Sequence, residues 1–122
     1  MKKSLIILAI SLIINGLAFS QKQETQPTIA EVKIKTTAIC TQCKQRIERD
    51  LAFEKGVVSS NLDVKTKIVT VIYKSKKTDV EKIKTAISKI GYGADDLKAD
   101  EKAYNKLPEC CQKEVEGDHD KN

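Results

Sequence analysis

The chain has 122 residues, 40% of them apolar and 32% charged, with 22 Lys and Arg against 17 Asp and Glu for a net charge of +5. A length of this order suits one small domain with appendages. Aromatic residues make up 4% and Trp is absent, too few for a base-stacking surface. The charges are interspersed and lack the one-sided basic footprint of a nucleic-acid binder.

Lys2 and Lys3 precede an apolar run from Leu5 to Leu17, broken by Ser11, Asn15 and Gly16. Ala18-Phe19-Ser20 then places small residues at alternate positions. A positive start, a short apolar centre and a small-residue cleavage point predict a secretory signal peptide over residues 1–20. The apolar stretch falls short of the roughly 20 residues that a membrane helix needs, so no span is expected after cleavage. The first cysteine is Cys40, so a lipidated N-terminal cysteine is not expected. Cleavage removes Lys2 and Lys3 and no acid, which lowers the net charge to +3. The mature chain is expected to be exported, periplasmic or secreted, where disulfides can persist.

Residues 21–29 are polar, with Gln21, Gln23, Gln26 and Pro27, and read as a flexible linker. A folded domain is expected over residues 30–98. Ala30 to Thr36 alternates apolar and polar, with Val32 and Ile34 on one side, the pattern of a half-buried strand. From Cys40 the period changes. Cys43, Ile47 and Leu51 recur every four residues among Lys44, Arg46, Glu48, Arg49 and Asp50, which predicts an amphipathic helix over about Thr41 to Phe53, ended near Gly56.

Val57 to Asp63 and Lys67 to Tyr73 read as two strands of a hairpin, with Val69, Val71 and Tyr73 buried. Thr78-Asp79-Val80-Glu81 reads as a capping box. It opens a helix whose apolar positions are Val80, Ile83, Ile87 and Ile90 and which Gly91 stops. Tyr92 to Leu97 is a candidate last strand. The order strand, helix, strand, strand, helix, strand predicts an α+β, ferredoxin-like βαββαβ sandwich, a four-stranded antiparallel sheet with two helices on one face. Residues 99–122 form a C-terminal extension: a short helix over Ala99 to Lys106, then Pro108, Cys110-Cys111 and a polar tail. His119, the single histidine, lies in that acidic tail and reads as solvated.

The chemistry concentrates in Cys40-Thr41-Gln42-Cys43, between the first strand and the first helix. There both sulfurs lie near the positive end of a helix dipole and its unpaired N–H groups. That setting favours thiolate, and two thiolates at this spacing can grip one soft cation.

In this frame the stretch from about Val32 to Leu97 resembles the heavy-metal-associated domain, a family of copper chaperones, modules of metal-pumping ATPases and periplasmic mercuric-ion binding proteins. The resemblance rests on Cys40 and Cys43 at the first strand-to-helix loop, Gly56-Val57 opening the second strand and Gly91-Tyr92 before the last. Thr37-Ala38-Ile39 stands where the family usually has Gly-Met-Thr. Ile39 offers no oxygen ligand where zinc, cadmium or lead relatives often have an acid. Two sulfurs alone suit near-linear Cu(I) first and Hg(II) next, and serve poorly for Zn(II), which takes four ligands.

The resemblance implies a non-enzymatic carrier that exchanges its ion with the thiolates of a partner, a metal transporter or another metal-binding domain. It also places Tyr92 near the metal loop, where it either shields the sulfurs or packs at the sheet edge. A monomer is expected. Two alternatives stay open: a small thiol–disulfide redox module using the same pair, or an interaction module that has lost its metal.

Cys110 and Cys111 are too close along the chain to bond each other, since adjacent Cα atoms lie about 3.8 Å apart. They are expected either to form a second soft-metal site, to fold back and complete the first, or to enter a disulfide with another chain or with the first pair. Lys44, Arg46 and Arg49 on the motif helix form either a docking surface or an ordinary wet face.

Overall fold

β1 (Ile29–Lys35), β2 (Val57–Asp63) and β3 (Ile68–Lys74) pair as one antiparallel sheet in the order β1-β3-β2. The computed structural model describes residues 28–112. The expected signal peptide, most of the linker and the tail carrying His119 lie outside the described residues. β1 begins inside the segment read as linker, because Ile29 already pairs with Lys74.

The pairing register explains the core. Ile34 opposes Val69, Val32 opposes Val71, and Leu62 opposes Val69 from the other side. Alternate side chains of a strand share a face, so these residues line one surface together with Tyr73. Ile34, Val69, Val71 and Tyr73 are buried as expected, and Leu62 joins them, while Glu31, Lys33 and Lys35 occupy the alternate positions of β1.

Two helices cover that face. α1 (Thr41–Ala52) contributes Cys43, Ile47 and Leu51, and α2 (Val80–Ile90) contributes Ile83 and Ile87. All five belong to the same buried cluster as the sheet residues. Full burial of each large aliphatic side chain contributes about 1.5–3 kcal/mol. The α+β layering with both helices on one face is as expected, and no helix of the described residues is long and apolar enough to cross a membrane.

The start of α2 differs from the expected capping box. Asp79, rather than Thr78, is the N-cap, and its carboxylate accepts the Lys82 N–H at 2.9 Å. Glu81 therefore falls one position short of the N3 site that a capping box requires. Gly91 does end the helix, in the left-handed conformation at φ 114°. The Tyr92 N–H closes the turn on the Ile87 carbonyl at 3.3 Å.

The expected four-stranded sheet is not what forms: among the described residues the sheet has three strands. Residues 92–97 form no ladder with β1: an isolated bridge joins Ala94 to Thr36, just past the end of β1, and Ala94 then pairs back on Leu97. Asp95 causes the reversal. It adopts φ 51°, a conformation that Asp tolerates better than most residues. Its carboxylate accepts the Lys35 N–H at 2.8 Å and its own N–H donates to the Lys35 carbonyl at 2.8 Å. These bonds end the pairing before a ladder can extend.

After the reversal the chain crosses α2. Ser88 Oγ donates to the Lys98 carbonyl at 2.7 Å and the Asp100 N–H donates to the Ser88 carbonyl at 3.0 Å. α3 (Glu101–Asn105) follows, shorter than the expected Ala99 to Lys106, and a 3-10 turn (Glu109–Cys111) ends the described chain.

Candidate metal centre

Cys40 is the N-cap of α1 and Cys43 stands in its first turn. The Cys43 N–H donates to Cys40 Sγ at 3.4 Å, and the two sulfurs lie 3.0 Å apart. Four orphan N–H groups and a positive partial charge meet at such a helix start. The first turn carries no acid to compete for them. Cys43 is fully buried within the apolar stripe that continues through Ile47 and Leu51, while Cys40 is partly exposed.

The two thiols are not equivalent, which corrects the expectation that both favour thiolate. Burial opposes ionisation of Cys43, yet the hydrogen bond from Cys40, a backbone contact at Ile39 and the groups of Tyr92 and Cys111 outweigh it and lower its pKa to about 7. Cys40 moves the other way, raised by desolvation and then by its hydrogen bond to Cys43. Two adjacent thiols share the stabilisation of one negative charge, and the buried one holds it.

The C-terminal pair also belongs to this place. Cys111 is buried, and its sulfur lies 3.7 Å from Cys40 Sγ. Cys110 is exposed; its thiol donates to Gln42 Oε1 at 3.0 Å and its sulfur is 3.9 Å from Cys111 Sγ. The sulfurs of Cys40, Cys110 and Cys111 all fall within 4.8 Å of one another. All four thiols are free, and their separations exceed the roughly 2.05 Å of a disulfide bond. Burial, then the sulfurs of Cys43 and Cys40, push Cys111 up to about 12.

Tyr92 closes the inner side. It is fully buried, faces Cys43 and Cys111, and its hydroxyl makes no hydrogen bond of normal geometry. Burial and the two neighbouring sulfurs raise its pKa. The residue therefore both packs in the core and seals the sulfurs on that side.

The basic residues of α1 have mostly internal duties. Lys44 Nζ pairs with Glu48 and donates to the Leu62 carbonyl at 2.8 Å, while Glu48 accepts the Leu62 N–H at 2.8 Å. Together they staple α1 to β2. Arg49 pairs with neighbouring Asp50 at 2.9 Å, and Arg46 Nε is buried without a partner.

The sequence did not mark the residues that deliver the C-terminal cysteines. Leu107 is buried in the core, and Ala103 and Leu107 approach so closely that a Cβ on Gly91 would meet both at 3.1 Å. Gln112 Nε2 then donates to the Leu107 carbonyl at 3.0 Å. The one available signal was Leu107-Pro108 immediately before Cys110-Cys111.

Comparison with known proteins places this geometry. Residues 36–93 match the heavy-metal-associated domain. Over 68 residues the chain is 34% identical to a copper-exporting P-type ATPase of Staphylococcus aureus, covering 55% of this chain but 8% of the ATPase. The chain thus spans less than a tenth of the length of the curated relatives it matches. The structure superposes on the CopZ metallochaperone with a TM-score of 0.51 at 27% identity, covering 53% of this chain and 98% of that one. Oxidized MerP from Ralstonia metallidurans CH34 shares the fold, with a TM-score of 0.52 at 20% identity over 55% of this chain and 94% of its own.

Proposed function

We propose that the chain, whose residues 36–93 match the heavy-metal-associated domain, captures and hands on one soft metal ion, Cu(I) first and Hg(II) next, between Cys40 and Cys43. The carrying observation is two sulfurs 3.0 Å apart at the N-terminus of a buried helix. Soft thiolates select soft cations, and the helix end favours their negative charge. The likeness to a segment of a copper-exporting ATPase favours copper, and the likeness to the CopZ metallochaperone favours hand-off.

Hand-off proceeds by ligand exchange. A partner thiolate enters beside the partly exposed Cys40, the ion adds a ligand, and the bond to one protein sulfur then breaks. No bond of an organic molecule changes, so the role is a binding one. The partner is a metal transporter or another metal-binding domain. The N-terminal pattern of residues 1–20 supports action outside the cytoplasm, with the protein working as a monomer.

The gathering of further sulfurs around the pair favours an ion over a redox disulfide: Cys111 lies 3.7 Å from Cys40, and the sulfurs of Cys40, Cys110 and Cys111 fall within 4.8 Å of one another. The test is anaerobic titration of the reduced protein with Cu(I) against a chromophoric chelator. One retained equivalent, lost in Cys40→Ser/Cys43→Ser, is expected; failure of the reduced protein to retain Cu(I) overturns the reading.

A further inference from the structure

We propose that Cys111 is a third thiolate ligand of the ion held by Cys40 and Cys43, so that the C-terminal segment converts a two-sulfur grip into a three-sulfur one. The inference rests on the metal-binding reading above and adds its coordination number and the means of retaining the ion.

The distances carry it. With metal–sulfur bonds of about 2.3 Å, two sulfurs lie about 4.6 Å apart across a linear ion and about 4.0 Å apart around a trigonal one. Cys40 and Cys111 are 3.7 Å apart, which is trigonal spacing. Cys40 and Cys43 at 3.0 Å need a smaller opening to reach trigonal spacing than to reach linear spacing. Cys40 therefore joins the two pairs, 3.0 Å from Cys43 and 3.7 Å from Cys111, and its sulfur lies within 4.8 Å of those of both Cys110 and Cys111.

The segment is built into the fold at several points. Ser88 holds residues 98 and 100, Leu107 fills the notch at Gly91, and the Cys111 N–H donates to the Pro108 carbonyl at 2.8 Å. Burial of Cys111 places the third sulfur on the inner side, against Tyr92. Cys110 remains on the solvent side with Gln42. An ion bound by three sulfurs is held more tightly than one bound by two, and a partner must displace a sulfur of this segment before taking it. Each thiol releases its proton to solvent as its bond to the ion forms.

The test uses reduced full-length protein loaded anaerobically with one equivalent of Cu(I). Copper-edge X-ray absorption is expected to show three sulfurs in the wild type and in Cys110→Ser, and two in Cys111→Ser and Cys111→Ala. Loss of an outer-shell partner of a metal ligand already costs about 10–100-fold in affinity, so loss of Cys111 is expected to weaken Cu(I) binding at least tenfold. A wild type that holds Cu(I) stoichiometrically with two sulfurs, or a Cys111→Ala variant of unchanged affinity, overturns the third ligand and leaves the CxxC site standing. A wild type that holds no Cu(I) overturns both.

Discussion

Cys40 does two things for Cys43: its sulfur accepts the Cys43 N–H at 3.4 Å as the cap of α1, and it stands 3.0 Å from the Cys43 sulfur as the other half of a chelating pair. Capping and metal binding can therefore be separated by mutation. Ser ranks among the best N-cap residues, so Cys40→Ser is expected to keep or slightly raise the stability of the metal-free protein, by up to about 1 kcal/mol, while removing stoichiometric Cu(I) retention. Urea unfolding and Cu(I) competition on the same preparation check both parts. A large loss of stability would show that the sulfur contributes more than a cap.

The order of thiol ionisation gives a pH signature. Cys43 titrates at about 7 in the fold against an ordinary value of 9.0. In the reduced, metal-free protein the thiolate absorbance and the alkylation of Cys43 are expected to rise through pH 7, ahead of Cys40 and Cys111, which are both raised. A depressed folded-state value means that the Cys43 contribution to stability is fully present above pH 9.0 and is lost as pH falls through about 7. Cys111 has the opposite sign. Its contribution is present below the ordinary thiol range and is lost as pH rises toward about 12.

The Tyr92 hydroxyl is buried beside the sulfurs without a hydrogen bond of normal geometry. Removing an unsatisfied buried group relieves a cost of about 1–3 kcal/mol. Tyr92→Phe is expected to leave the metal-free protein as stable as the wild type or more so. It also removes a group that lowers the Cys43 pKa, so the thiolate midpoint rises. Tyr92→Ala opens a cavity and costs about 3–5 kcal/mol. Chemical denaturation and thiol titration of the two variants separate packing from electrostatics.

Gly91 adopts φ 114°, and a Cβ there would press on the Ala103 backbone and Leu107 Cδ1 at 3.1 Å. Gly91→Ala therefore strains the α2 cap and displaces the segment carrying Cys110 and Cys111. A loss of about 1–3 kcal/mol is expected, together with faster hydrogen exchange at the Leu107 and Cys111 amides. Unchanged exchange at those amides would mean that the notch does not hold the segment.

What the sequence determined by itself is what short-range physics decides. The four-residue recurrence of Cys43, Ile47 and Leu51 marked the buried side of α1. The alternation around Val69 and Val71 marked the buried face of β3, and Gly91 marked a helix stop. Cys40 and Cys43 were legible as a pair because both lie within one turn of a helix start. Even locally, a one-residue ambiguity hid the cap: Thr78 and Asp79 are both good N-caps, and Asp79 prevails because its carboxylate reaches the Lys82 N–H.

Tertiary structure alone decided the rest. Residues 92–97 could have paired along β1, but Asp95 spends its carboxylate and its N–H on Lys35 and turns the chain away. The position of Cys111 depends on a contact 71 residues away in sequence, at Cys40. It is set by Leu107 filling the space that a side-chain-free Gly91 leaves open. Hydrophobic period reports which side of an element is buried and says nothing about which distant sulfur arrives there, because that is settled by how the elements pack.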